Sequence, residues 1–189
     1  YQSDFFFFFF AYVYLCSHNK MAADINQKKI KELGGRAHSY TADVKGDFKE
    51  TQYPNDEILE LKIGAQIMFI RNDTSPDKKY FNGKLAQISY RDEDEISVIL
   101  DGSEEEITLK AETWKQKKYS LDDEKNIKEE VLGSFKQFPI RLAWAVTIHK
   151  SQGLTFDRLI IDAGKSFASG QVYVALSRCR TLEGIVLKS

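Results

Sequence analysis

The sequence predicts an α/β fold interrupted by a small antiparallel all-β insertion, and three observations predict it. Apolar runs of strand length alternate with helix patterns at both ends of the chain. Four short strands lie close together in the middle, separated by turn signals and by no helix. Acid gathers in that middle part and base in the last third. With 189 residues there is room for one ordinary domain carrying an insertion. Hydrophobic residues at 42% suffice for a packed core, while only 3 prolines and 11 glycines argue against a disordered or collagen-like chain.

Residues 5–10 are six consecutive phenylalanines. They lack the basic flank and small-residue cleavage site of a signal peptide. No strand or helix buries six aromatics in a row, because alternate ones face water. Two readings stay open, an artefact or the start of a buried strand, and residues 1–10 are left out of the domains and of the function.

From residue 11 the pattern becomes regular. Residues 11–16 form a short apolar run ended by Ser17-His18-Asn19. Met21, Ile25, Ile30 and Leu33 then recur at helical spacing, and Gly34-Gly35 supplies a left-handed stop. A strand over residues 36–42 completes an expected βαβ unit of a parallel sheet. In the middle, residues 66–70, 85–90, 96–100 and 106–109 read as strands. Asn72-Asp73-Thr74-Ser75-Pro76, Asn82-Gly83 and Asp101-Gly102 mark the turns between them. Such spacing means antiparallel pairing in a small barrel or curled sheet. After Pro139, residues 140–146 and 158–161 read as strands, and Ser169 as the N-cap of a helix to about Arg180. In that helix Val172, Leu176 and Cys179 share an apolar face; a last strand covers residues 184–187. The domains are therefore 11–60 with 139–189, and 61–138 inserted.

Total charge excludes little, since 27 basic residues meet 28 acidic ones. Between Arg91 and Glu106, eight carboxylates face one arginine, the pattern of a solvated edge protected from aggregation. From Pro139 onward seven basic residues face three acids. Cys16 and Cys179 are too few and too far apart for a disulfide scaffold or a zinc site, and read as free thiols of a reducing compartment. No apolar run reaches the ~18 residues of a membrane span.

The chemically dense segment runs from Ala145 to Asp157. It sets Thr147, His149, Lys150, Ser151 and Gln152 between two strands, where ligands of open α/β sheets bind. Such a row donates hydrogen bonds to phosphate oxygens, and Gly153 permits close backbone approach; the ordinary alternative is a polar connection capped by Thr147. His18, His38 and His149 lie in separate segments without ligand spacing, so no metal is expected. Arg178 projects on the same side of its helix as Gln171 and is placed to reach a phosphate across a cleft, or simply to make a surface ion pair. Gly164-Lys165-Ser166 ends like a P-loop, but position 159, where the earlier glycine is needed, is Leu159.

The string AWAVTIHKSQGLTFDRLIID followed by GQVYVALSRCRTLEGIVL resembles motifs V and VI of superfamily 1 DNA helicases, in the RecD-like and PIF-type branch. CSHNKMAADINQKKIKELGG, with Asn19 and Asn26, resembles the motif IV region. LKIGAQIMFIRND with YFNGKLAQI resembles the opening of an inserted SH3-like barrel. The resemblance spans residues 11–187. It implies a RecA-like second motor lobe, the C-terminal half of an ATP-dependent helicase moving along single-stranded DNA, 5′ to 3′ by branch membership. It implies that Arg178 is the arginine finger, and that Gln152, Gly153 and Gln171 line the nucleotide side. Thr147, His149, Lys150, Ser151 and Asn82 are implied to meet DNA. ATP and Mg²⁺ are then held mainly by a first RecA-like lobe, the partner of this one. Thr155 and Ala86 depart from the family, which has a glutamate and a second barrel glycine there. The resemblance and the cysteines together imply a cytoplasmic protein, or a nuclear one in a eukaryote. The competing reading is a non-catalytic module that grips single-stranded nucleic acid.

Overall fold

A computed structural model describes residues 12–121, 126–162 and 169–188. The phenylalanine run and Gly164-Lys165-Ser166 lie outside the described residues. In chain order the elements begin with β1 (Val13–Cys16), α1 (Asn19–Glu32), β2 (His38–Thr41), β3 (Asp43–Gly46) and β4 (Ile58–Leu61). They continue with β5 (Gln66–Phe69), β6 (Leu85–Arg91), β7 (Ile96–Leu100), β8 (Glu106–Leu109), β9 (Glu112–Leu121) and β10 (Ile127–Gln137). The chain closes with β11 (Ile140–Leu142), β12 (Ala145–Thr147), β13 (Leu159–Asp162), α2 (Ser169–Leu176) and β14 (Ile185–Lys188).

A four-stranded parallel sheet in the order β12-β1-β13-β14 forms the α/β part. Its central strands are apolar because a parallel strand is covered on both faces. Val13, Leu15, Leu159 and Ile161 are at most 1% exposed. α1 lies against β1 and β12 through Ala22, with Met21 and Ile25 partly buried beside it. The helix starts two residues before the expected Met21 and stops at Glu32, where Leu33 turns extended. Lys62 Nζ donates to the Leu33 carbonyl at 2.8 Å and satisfies one helix-end acceptor.

The expected βαβ unit does not form. β2 pairs antiparallel with β4 and joins no parallel sheet. Only Tyr40 of its four residues is buried, whereas a parallel strand needs apolar cover on both faces. β4 alternates exposed and buried, so the two one-sided strands close over the antiparallel core together.

That core is built on a five-stranded antiparallel sheet, β11-β5-β6-β7-β8, containing all four strands expected in the middle of the chain. Phe69, Ile67, Ile88, Ile96 and Val98 are fully buried in it. The strand expected over residues 140–146 is two strands in two sheets. β11 pairs with β5, the chain crosses at Ala143-Trp144, and β12 then pairs with β1. Every residue of β5 is buried, since Ile67 and Phe69 face the antiparallel core while Met68 enters the parallel-sheet core with Val146, Ile148 and Leu154. A three-stranded sheet, β3-β10-β9, contains a long antiparallel β9-β10 pair that periodicity does not predict. Lys115, Lys117, Lys118 and Tyr119 leave β9 without an apolar alternation, and pairing with β10 defines it.

α2 ends at Leu176 and not near Arg180. Its buried contact is Ala175 at 0% exposure, flanked by Val174, Leu176 and Cys179. Of the expected stripe, Leu176 and Cys179 pack against this cluster and Val172 does not, and Cys179 lies beyond the helix end. No helix of the described residues is long and apolar enough to cross a membrane.

Candidate functional site

β12 delivers the chain to the edge of the parallel sheet at Thr147, which is 4% exposed. Ile148 is buried, and its amide donates to the Cys16 carbonyl at 3.0 Å, which extends the parallel ladder by one bond. A single 3-10 turn, His149–Ser151, follows. The Ser151 amide donates to the Ile148 carbonyl at 3.1 Å, and the Lys150 amide makes a long 3.4 Å contact to Thr147 Oγ1. Gln152 at φ −60, ψ 130 and Gly153 at φ 78 form the centre of a type II turn, closed by the Leu154 amide on the Ser151 carbonyl at 3.0 Å. The left-handed φ is the reason a glycine stands second in that turn. No atom approaches within 4 Å of where a Gly153 side chain would begin, so the turn presents its backbone openly.

Buried Ile148 and Leu154 anchor the loop at both ends and leave His149, Lys150, Gln152 and Gly153 exposed between them. Ser151, expected to meet DNA, lies on the inner side of the turn. It is 0% exposed, and its hydroxyl donates to the Ile148 carbonyl at 2.7 Å, so it holds the turn from inside and presents nothing outward. Asn82 comes from the β5–β6 connection and is exposed, with its amide on Asn72 Oδ1 at 2.8 Å. Its neighbour Gly83, at φ 94, lies so close to Leu154 that a Cβ would stand 2.8 Å from Leu154 Cδ2. The structure therefore brings the Asn82-Gly83 loop against the same turn that carries Gln152.

Arg178 reaches this region by a route other than helical spacing. The Phe156 amide donates to the Arg178 carbonyl at 2.8 Å, and the Arg180 amide donates to the Phe156 carbonyl at 3.0 Å. Phe156 and Cys179 thereby form a parallel bridge two residues beyond the Gly153-Leu154 step. The Arg178 side chain is half-buried. Its Nε donates to the Val174 carbonyl at 3.3 Å and one terminal nitrogen to Ser177 Oγ at 3.0 Å. Gln171 is half-buried in α2. Arg180 is exposed and lies 3.4 Å from Asp157 Oδ1.

A cleft of about 430 Å³ opens beside Thr147 and Lys150, between α1 and β4 over β11 and β12, with Asn19 and Arg141 in its lining. Burial pushes the Lys150 ammonium below its ordinary value, and the nearby Arg141 guanidinium adds to this while Asp56 opposes it. Asn26 closes one wall. Its side chain accepts from the Ala145 amide and donates to the Ala145 carbonyl, both at 2.9 Å, as a neighbouring strand would for this edge strand. Sequence reasoning missed Arg141; its one signal is a charged residue between Ile140 and Leu142 in an apolar run.

The exposed groups of these segments are ammonium, guanidinium, imidazole, amide and backbone N–H. They suit anionic oxygens and not a divalent cation, and among the described residues no three His, Cys, Asp or Glu side chains gather as a metal site. Residues for phosphate are present; residues for Mg²⁺ are not gathered in the described part of this chain.

No family model matches the chain. The ATP-dependent DNA helicase Pif1 of Campylobacter jejuni is 36% identical over 183 residues, 88% of this chain and 40% of that protein. This chain thus spans about two fifths of that relative's length. A crystal structure of Bacteroides sp Pif1 in complex with ADP-AlF4 superposes with a TM-score of 0.86 at 41% identity, over 96% of this chain and 41% of that one. Bacteroides Pif1 in complex with ADP-AlF3 and single-stranded DNA superposes at 0.74 with 43% identity, over 94% of this chain and 40% of that one. Sequence and fold agree over nearly the whole of this chain: it belongs to the Pif1 family of superfamily 1 DNA helicases.

Proposed function

We propose that this chain is the second motor lobe of an ATP-dependent DNA helicase that couples hydrolysis at the interface with a first RecA-like lobe to movement on single-stranded DNA. The parallel sheet with α1 and α2 is the RecA-like lobe. The antiparallel elements are its insertion, read as an SH3-like barrel, and it draws in β2, β3 and β4 as well as residues 61–138 because those strands pair or share a core with it. The reading rests on one observation above the others. The Phe156–Arg178 pairing ties the exposed Lys150–Gly153 turn to a half-buried guanidinium.

In this reading Arg178 is the arginine finger. Its planar guanidinium fork neutralises the γ-phosphate from outside the P-loop, as phosphoryl transfer requires. Gln152, Gly153 and Gln171 line the nucleotide side. Thr147, His149, Lys150 and Asn82 follow the DNA, and the Mg²⁺ belonging to ATP is left to the acids of the first lobe. Similarity supports the assignment, since the Pif1 relatives are named ATP-dependent DNA helicases and one solved relative holds both a nucleotide analogue and single-stranded DNA.

The test is ATP turnover, with and without single-stranded DNA, by this chain alone and by the full-length protein. The chain alone is expected to show no appreciable hydrolysis and the full-length protein a DNA-stimulated one. Robust hydrolysis by the chain alone would overturn the split-motor reading. A non-catalytic nucleic-acid module would show DNA binding without turnover in either form.

A further inference from the structure

The cleft between α1 and β4 holds two cations, Arg141 from β11 and Lys150 from the 3-10 turn. Arg141 is half-buried. One terminal nitrogen donates to the Pro54 carbonyl at 3.1 Å, and its Nε is buried with no hydrogen-bond partner. Neither cation has an ion-pair partner among the described residues. Asp56 acts on both with opposite sign, and it is exposed in the cleft's lining. Burial pushes both cations below their ordinary values; the Arg141 charge lowers Lys150 further, and Asp56 opposes the shift in each.

A structural duty does not account for this. Holding the Pro54 carbonyl needs one neutral donor, and a glutamine would serve. Placing a permanent charge beside a second one in a half-dry cleft costs free energy that only an anion returns. The cleft also carries Asn19 at the start of α1 and Thr147 at the end of β12, both able to donate to oxygen.

We propose that Arg141 is a second phosphate-contacting cation beside Lys150, and that one phosphodiester group of the single strand sits between the two at the mouth of this cleft. Asp56 is then the internal counter-charge that the phosphate displaces. The proposal rests on the reading of this chain as a DNA-gripping motor lobe.

The experiment is a salt titration of the full-length protein on oligo(dT), with Arg141→Gln, Arg141→Lys, Asp56→Asn and Lys150→Ala. Arg141→Gln should make the slope of log affinity against log salt shallower by about 0.7, one counterion on a single strand. Arg141→Lys should keep the slope. Asp56→Asn should tighten binding several-fold, and this variant leaves the buried guanidinium in place should Arg141→Gln fold poorly. An affinity loss in Arg141→Gln at unchanged slope would mean a packing role and overturn the proposal. So would an Asp56→Asn variant that binds no better. If Lys150→Ala flattens the slope and Arg141→Gln does not, only the role of Arg141 falls; if neither does, the motor-lobe reading of this surface falls with it.

Discussion

The amide of Phe156 and the carbonyl of Arg178 are joined by a 2.8 Å hydrogen bond that links two segments 22 residues apart in the chain. The bond from the Arg180 amide back to Phe156 makes the link two-sided, so Arg178 sits in a bridge rather than on a free helix end. These backbone bonds join the segment that follows the Gln152-Gly153 turn directly to the one that carries Arg178. The arginine and the turn are thereby held in one frame.

Arg178→Ala in the full-length protein should lower ATP turnover by about 10³–10⁵-fold, the range for losing an arginine finger. Nucleotide affinity should fall far less. Arg180→Ala should cost little, because Arg180 is exposed and spends its charge on a surface contact with Asp157. Steady-state ATPase assays of both variants separate the roles. Equal losses would assign this segment a general structural duty.

The same bridge depends on Gly184. A Cβ there would stand 2.0 Å from the Asp157 carbonyl oxygen and 2.8 Å from Cys179 Sγ. Gly184→Ala forces the Phe156–Cys179 bridge apart and should destabilise the protein by roughly 1–3 kcal/mol, as overpacking does. Thermal denaturation should show a midpoint lower by on the order of 5 °C. Unchanged melting would mean that the 157 and 179 segments separate without cost and that the bridge is no frame at all.

Much of this is legible in the amino-acid sequence. The four middle strands read correctly because each carries a short apolar run or an alternation bounded by turn signals, as Glu106-Ile107-Thr108-Leu109 alternates. The His149–Gly153 segment was recognisable from its donors. Two kinds of feature were hidden. One is partner choice: nothing in His38-Ser39-Tyr40-Thr41 says antiparallel, and the chain switches sheets inside the continuous run from Ile140 to Val146. The other is burial of polar groups. Ser151 looks like a ligand-facing hydroxyl, and only folding shows that it is spent on a carbonyl. Helical spacing predicted the side of Arg178 for a helix that ends two residues before it.

Asn26 gives a stability prediction. It supplies both hydrogen bonds that a missing neighbour would give Ala145, which is 1% exposed. Asn26→Ala leaves a buried donor and a buried acceptor without partners and should cost about 2 kcal/mol or more. Asn26→Asp should cost nearly as much, since a carboxylate accepts from the amide and repels the carbonyl. Urea unfolding of the three proteins checks this. A neutral Asn26→Ala would mean that water reaches the β12 edge.

The last prediction concerns the DNA track itself. Lys150 is exposed at the tip of the turn, beside the cleft that holds Arg141. In the full-length protein, Lys150→Ala should weaken single-stranded DNA binding uniformly across sequences and flatten the salt slope by about 0.7, because one phosphate loses its partner. Removing carboxylates from the Glu93-Asp94-Glu95 run should leave binding unchanged or slightly tighter. Those acids line a different cavity, with Ser39, Thr41 and Lys136, and Asp92 is occupied in accepting the Asp94 and Glu95 amides at 3.0 and 2.7 Å. The measurement is a salt titration on homopolymer and mixed-sequence oligonucleotides. If Lys150→Ala keeps its slope while the acidic-run variant loses binding, the antiparallel sheet's edge is the contact surface. The Thr147–Lys150 segment would then lose its place on the track.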